Sequence, residues 1–294
     1  MNHLKIGDFV ARKSYDYDIL FKVVDIIERP GRPSMILLKG VDLRIIADAP
    51  EEDLHRVPLN KLDEFHHSFH KKVDKIVKRI LRERSQRYEG RYGLTRTVPE
   101  HIKGGIPFGK SGKVLHLDGD GEYLDVCLKT YKQLEIEAIG KQIPEAEQPK
   151  AVVELLQEHA PDILVITGHD SLLRGYKDFT NIENYRSSKY FIEAVKEARR
   201  YEPNMDDLVI FAGACQSHYE AILAVGANFA SSPHRVLIHC LDPVFICEKI
   251  AYTSVDRFIP IEEILENTIT GLKGVGGLQT RGKYRQGLPK SPYQ

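Results

Sequence analysis

The sequence predicts an α/β protein: a three-layer, mostly parallel sheet preceded by a small β-barrel and a helical connector. Three observations carry that expectation. From residue 113 onward, short apolar runs alternate with stretches whose apolar residues recur at three- and four-residue steps, the pattern of strand–helix–strand units. Residues 4–57 hold instead short β-rich runs separated by turn formers. Residues 59–90 carry a single apolar stripe at helical spacing. The chain accordingly divides into a barrel (1–58), a basic amphipathic connector (59–95) and a larger α/β domain (96–294).

In the first unit, strands are expected at 6–10, 20–26 and 35–40, with Pro30-Gly31-Arg32-Pro33 as one of the turns. Five short strands in about fifty residues suit an SH3-like barrel, a module that docks or regulates. In the connector, Leu62, Phe65, Phe69, Val73, Ile76, Val77 and Ile80 line one face, and lysines and arginines from Lys71 to Arg87 cover the other. That basic face reads as solvated. His66 and His70 lie one turn apart, but His66-His67-Ser68-Phe69-His70 has no Glu between them, and no metal site is read there. Gly- and Pro-rich residues 91–112 mark the boundary. Gly104 to Ser111 matches the P-loop pattern, yet prolines flank and interrupt it and it runs into a strand, not a helix, so nucleotide binding is not expected.

Beyond the boundary the expected order is a strand at 113–117, a helix at 122–139, a helix at 149–159 and a strand ending before His169. A helix at 186–201 then feeds a strand ending before Cys215; a helix from Tyr219 and a strand at 235–239 follow. Lys+Arg and Asp+Glu balance at 42 each, so no global field argues for a nucleic-acid or membrane partner. The apolar fraction of 42% suffices for a packed core. No apolar run approaches the ~20 residues of a membrane span, and the start lacks a signal-peptide pattern. Four scattered cysteines, 127, 215, 240 and 247, suit free thiols in a reducing cytoplasm.

The chemistry is expected where two buried strands run out. Residues 162–170 read Asp-Ile-Leu-Val-Ile-Thr-Gly-His-Asp, and 208–217 read Leu-Val-Ile-Phe-Ala-Gly-Ala-Cys-Gln-Ser. Side chains just past the carboxyl ends of such strands face the crevice in which open α/β sheets bind ligands. If the strands are neighbours, the His169 imidazole and the Cys215 thiol meet there. Such a pair performs nucleophilic catalysis: the imidazole takes the thiol proton and the thiolate attacks a carbonyl carbon. Either residue alone is more often an inert core group. No cofactor and no metal is needed, and His116, His159, His218, His234 and His239 are read as spectators.

Gly213-Ala-Cys215-Gln-Ser217-His218 resembles the cysteine elbow of class I glutamine amidotransferases. Those enzymes place His and Glu downstream as His-x-Glu, which neither Pro233-His234-Arg235 nor His239-Cys240-Leu241-Asp242 provides. An upstream His and a later Ala-Cys, 46 residues apart (215 − 169), resemble instead the caspase-like cysteine peptidases. That resemblance implies a caspase-like sheet, with the backbone amides of Cys215 and Asp170 as oxyanion donors. Asp170 stands where that group has Gly, so its carboxylate has to point away. Over residues 1–290, Lys5-Ile-Gly-Asp-Phe-Val-Ala-Arg-Lys-Ser14, Ala47-Asp-Ala-Pro-Glu-Glu-Asp53, Val114-Leu-His-Leu-Asp-Gly-Asp120 and the His169 and Cys215 blocks resemble the YabG family of sporulation-specific proteases.

That likeness implies a peptidase of the mother-cell cytoplasm, associated with the spore coat, that trims spore-coat and other sporulation precursor proteins after arginine. An arginine-binding pocket needs a carboxylate. Gly213 stands where clostripain-like members keep an Asp, which leaves Asp118, Asp120 and Asp242 as candidate substrate-binding acids. Arginine-rich stretches at 79–96 and 199–200 are candidate self-processing sites. Two other classes stay open: a glutamine amidohydrolase using the same thiol, and a non-enzymatic coat scaffold.

Overall fold

The structure is a computed structural model that describes residues 3–29, 32–91, 108–173, 178–288 and 291. The N-terminal unit consists of β1 (Phe9–Arg12), β2 (Leu20–Arg29), β3 (Arg32–Gly40), β4 (Ile46–Pro50) and β5 (Leu54–Arg56). They form a five-stranded antiparallel sheet in the order β4-β3-β2-β1-β5. Val10, Phe21, Val23, Ile36, Leu38, Ala49 and Leu54 make its own small core. Among the described residues no pairing of β4 with β5 closes this sheet into the expected barrel.

Helix α1 (Leu59–Arg91) covers the predicted connector. Val73, Val77 and Ile80 of its apolar stripe pack into the main core, because helical spacing keeps them on one side. The side chains of residues 63–70, and with them Phe65, Phe69, His66 and His70, lie outside the described set. Residues 104–107 of the P-loop-like motif also lie outside it, and its next residues form β6 (Phe108–Lys110).

The main domain runs β7 (Val114–Asp118), α2 (Gly121–Gln133), β8 (Ala138–Gln142), α3 (Gln148–His159), β9 (Ile163–Thr167) and α4 (Ser188–Tyr201). It continues with β10 (Val209–Ala212), α5 (Tyr219–Ala224), β11 (Phe229–Ser231), α6 (Asp242–Ala251), β12 (Phe258–Ile259), α7 (Ile261–Leu265), β13 (Val275–Gly277), β14 (Thr280–Arg281) and β15 (Arg285–Gly287). Six strands form one sheet, β13-β11-β10-β9-β7-β8, parallel except at β13. Strand periodicity sends Ile163 and Val165 to one face, with α1, α2, α6 and α7, and Leu164 and Ile166 to the other, with α3, α4 and α5. The result is three layers. Among the described residues no helix is long and apolar enough to cross a membrane.

Two elements differ from expectation. The helix expected over 122–139 stops at Gln133, and 138–142 is the edge strand β8. Glu135, at φ 58, makes the left-handed turn between them. The strand expected at 235–239 is instead an irregular loop, because Ser232 (φ 65) and Arg235 (φ 54) adopt left-handed conformations that a continuous strand forbids. The sheet position is taken by β11, and Asp242 begins α6 rather than following a strand.

Candidate active site

From β7 the chain steps outward to β8 and then returns across the sheet to β9, β10 and β11. The order therefore reverses between β7 and β9, and the crevice at their carboxyl ends is where such sheets place ligands. Asp118, Asp120, Thr167 and His169 gather there. A polar cleft of about 540 Å³, lined by Lys39, Asp120, Glu122, Asp125 and Gln142 among others, opens beside them.

β9 and β10 are parallel neighbours with Ala212 opposite Ile166. His169 and Cys215 lie equally far past that pair (169 − 166 = 215 − 212 = 3). The predicted pair thus stands at the ends of adjacent strands. Gly213, at φ 106, makes the turn that leads to the cysteine, a conformation a side chain would strain.

His169 is held from both ends. Its amide donates to Glu145 Oε1 at 2.7 Å, and its Nε2 lies 2.8 Å from Asp120 Oδ2. A carboxylate at Nε2 fixes the proton on that nitrogen and leaves Nδ1 as the acceptor. Nδ1 is buried and has no hydrogen-bond partner among the described residues. Asp120 caps α2 through the amides of Glu122 and Tyr123, and Lys39 Nζ of the N-terminal sheet reaches its Oδ1 at 2.7 Å. Burial alone would raise the Asp120 carboxyl. The hydrogen bonds from His169 and Lys39 prevail and hold it well below the usual carboxylate range.

Cys215 is 1% exposed. Its sulfur receives the Ile238 amide at 3.2 Å and lies 3.8 Å from the Ile238 carbonyl. Burial pushes the thiol up to about 12, against the opposing influence of the Ile238 amide and of Arg44. The sulfur and the His169 ring are not hydrogen-bonded to each other. In this arrangement the cysteine is a protonated, covered thiol.

Each predicted acid has a definite partner. Asp118 is fully buried, with Arg44 Nη1 at 2.6 Å from Oδ2. Burial would raise its carboxyl, but the Arg44 guanidinium, with His116, brings it down to about 2. Asp242 accepts the amides of Ile269 (2.6 Å), His239 (3.3 Å) and Thr270 (3.3 Å), tying the start of α6 to the chain before β13. Asp170 is buried and its carboxylate is engaged by four hydrogen bonds. It accepts the amides of Ser171 and Ser187 at 2.9 and 2.7 Å, the Ser217 hydroxyl at 2.9 Å and the Ser188 hydroxyl. Ser217 Oγ in turn receives the Ala214 amide, so Asp170 braces the elbow that carries Cys215.

Three contributors carry no local signature in the sequence: Lys39, Arg44 and Tyr123. The first two sit in the N-terminal unit, far along the chain from the crevice. Tyr123 packs its ring 5.6 Å from that of His169 and donates its hydroxyl to the Leu43 carbonyl at 2.7 Å and to the Gly40 carbonyl. Downstream, His239 Nδ1 receives the Leu241 amide at 3.1 Å and His218 Nε2 contacts the Thr180 carbonyl. Among the described residues no group of three or more His, Cys, Asp and Glu side chains could hold a metal ion.

Comparison with known proteins gives two findings. A family model described as YabG peptidase U57 matches residues 5–289. The sporulation-specific protease YabG of Bacillus subtilis (strain 168) is 42% identical over 97% of this chain and 98% of its own length. No solved structure matches.

Proposed function

The chain belongs to the YabG peptidase U57 family of sporulation proteases, and from that premise we propose that it is a cysteine endopeptidase working through Cys215 and His169. The carrying observation is the imidazole held at Nε2 by Asp120, its Nδ1 without a hydrogen-bond partner among the described residues, three residues past a strand whose parallel neighbour leads by the same step to Cys215. Nδ1 takes the Cys215 proton, and the thiolate attacks the scissile carbonyl. The amides of Cys215 and Asp170 receive the developing oxyanion, and the hydrogen bonds that engage the Asp170 carboxylate offset the repulsion a glycine would have avoided. Protonated His169 gives its proton to the leaving amine, and water then hydrolyses the thioester. Asp120 is the positioning residue: it fixes the imidazole tautomer and stabilises the imidazolium.

Asp118 serves as the carboxylate for the substrate arginine, and cleavage follows that arginine. Support comes from the same fully buried carboxylate being paired with an arginine guanidinium of this chain. The substrates are sporulation precursor proteins, spore-coat proteins among them, and the enzyme acts in the mother-cell cytoplasm. The caspase-like reading of the fold rests on this His–Cys arrangement across parallel neighbours. His239 spends its Nδ1 on a backbone amide, which argues against that histidine as the base of an amidohydrolase.

The test is hydrolysis of peptides bearing Arg, Lys, Gln or Asp before the scissile bond. Arg-selective cleavage should fall at least ~10³-fold in Cys215→Ala and in His169→Ala, and by roughly 10²–10⁴-fold in Asp120→Asn. Activity that survives His169→Ala would remove the dyad.

A further inference from the structure

We propose that residues 40–45, the connection between β3 and β4, are a built-in occupant of this active site, with Arg44 filling the arginine pocket, so that the folded chain is latent. The inference rests on the peptidase reading above and adds the regulation of the same site.

Four observations place the segment there. First, Asp42 to Arg44 pair antiparallel with Ile238 to Cys240: the Cys240 amide donates to the Asp42 carbonyl at 3.0 Å, and the Arg44 amide to the Ile238 carbonyl at 3.4 Å. Leu43 and His239 form the bridge between them. Extended peptides dock on proteins by this kind of backbone pairing. Second, Ile238 is the residue whose backbone holds the Cys215 sulfur, so the docked segment lies against the thiol. Third, the Arg44 side chain is fully buried, its Nη1 on Asp118 and its Nη2 at 3.5 Å from the Cys240 carbonyl. Fourth, Tyr123 clamps the segment through the Gly40 and Leu43 carbonyls.

The segment is shaped to block the site without being a substrate. The Ile45 amide donates to the Leu43 carbonyl at 2.8 Å and the Gly40 amide to the Ile45 carbonyl at 2.8 Å, which closes a tight turn around Arg44. A Cβ at Gly40 would come within 2.3 Å of the Leu43 oxygen, so the closure requires glycine. A peptide bond folded into that turn does not continue extended past the thiol.

The latch is also imperfect. Arg44 Nε is buried without a hydrogen-bond partner among the described residues, and Nη1 meets Asp118 as an ion pair rather than as an aligned hydrogen bond. Withdrawing Arg44 alone would strand a buried carboxylate, which is costly. An arriving arginine that replaces it exchanges one guanidinium for another and removes that cost. Arginine-bearing chains therefore open the site where others do not, and apparent affinity is lowered by the fraction of closed molecules.

The experiment is the rate at which an arginyl ketone electrophile alkylates Cys215 in the full chain, followed by mass spectrometry alongside Arg-peptide hydrolysis. Arg44→Ala and Tyr123→Phe should each raise the alkylation rate at least ~10-fold over wild type, with hydrolysis rising in parallel. Tyr123→Phe removes only a hydroxyl and carries the test if Arg44→Ala does not fold. Equal or slower alkylation in the folded variants overturns the latch. A Cys215→Ala, Arg44→Ala double variant separates the two readings. If it still hydrolyses the peptide, the nucleophile is wrong. If it is dead while wild type and Arg44→Ala react equally, only the latch is wrong.

Discussion

At the scale of single residues, the site is a set of charges whose partners decide their roles. The position of His169 and Cys215 just past two strand ends is legible in the sequence because each follows an apolar run ending in small residues, and strand ends are local features. The acids were legible as candidates but not in their assignments. Asp118 and Asp120 lie two positions apart on the same turn, yet one faces Arg44 and the other His169. Those partners come from distant parts of the chain, and spacing alone does not choose between them. The pairing of Asp118 makes a pH prediction. Its folded carboxyl sits at about 2, below the ordinary 3.8. The stabilisation is thus complete above the unfolded value and is lost as pH falls from 3.8 through 2. A shift of that size corresponds to about 2 kcal/mol. Urea unfolding of wild type from pH 6 to pH 2 should show this loss, and Asp118→Asn, destabilised at neutral pH, should show correspondingly less. Parallel pH profiles for the two proteins would remove Arg44–Asp118 from the account.

Among elements, the well-patterned ones matched expectation: α1, α3, β9 and β10 follow the apolar periodicity to within a residue or two. The errors fell where backbone conformation, not hydrophobicity, decides. Glu135 turns left-handed and releases β8 from the expected helix; Ser232 and Arg235 do the same to the expected strand at 235–239. The second case matters for function. A regular strand there would have paired within the sheet, whereas the loop leaves Ile238 to Cys240 free to hold the thiol and to receive residues 42–44. The start of α6 shows the same dependence on distant contacts. Asp242, an acid that the sequence offered for substrate, accepts amides from His239, Ile269 and Thr270. Replacing it with alanine orphans the Ile269 and Thr270 amides, while the His239 amide keeps the Thr270 hydroxyl, at a cost of about 3 kcal/mol. The expected outcome is a lower thermal midpoint with unchanged preference for arginine over lysine in the surviving activity. A selective loss of arginine preference would return Asp242 to the pocket.

For the whole molecule, contacts join the three parts into which the sequence divides the chain. α1 buries Val73, Val77 and Ile80 in the main core, while Arg84 bonds Glu248 at 2.7 Å and the Leu134 carbonyl at 2.9 Å. The N-terminal sheet sends Lys39 to Asp120 and Arg44 to Asp118, so it contributes charge to both acids of the crevice. The strand-rich character of the N-terminal unit is legible in its pattern of short apolar runs and turn formers. The pairing of Arg44 with Asp118 is not foreseeable, since no local signal links residue 44 to residue 118. The proposed chemistry is a peptide bond broken through a thioester on Cys215. Acid quenching of the full chain shortly after mixing with an arginine peptide, followed by mass mapping, tests it most directly. The expected result is the acyl mass on the fragment containing Cys215 and its absence from Cys215→Ala. Hydrolysis that proceeds with the acyl group on another residue, or with no acyl-enzyme while Cys215→Ala remains active, would contradict it.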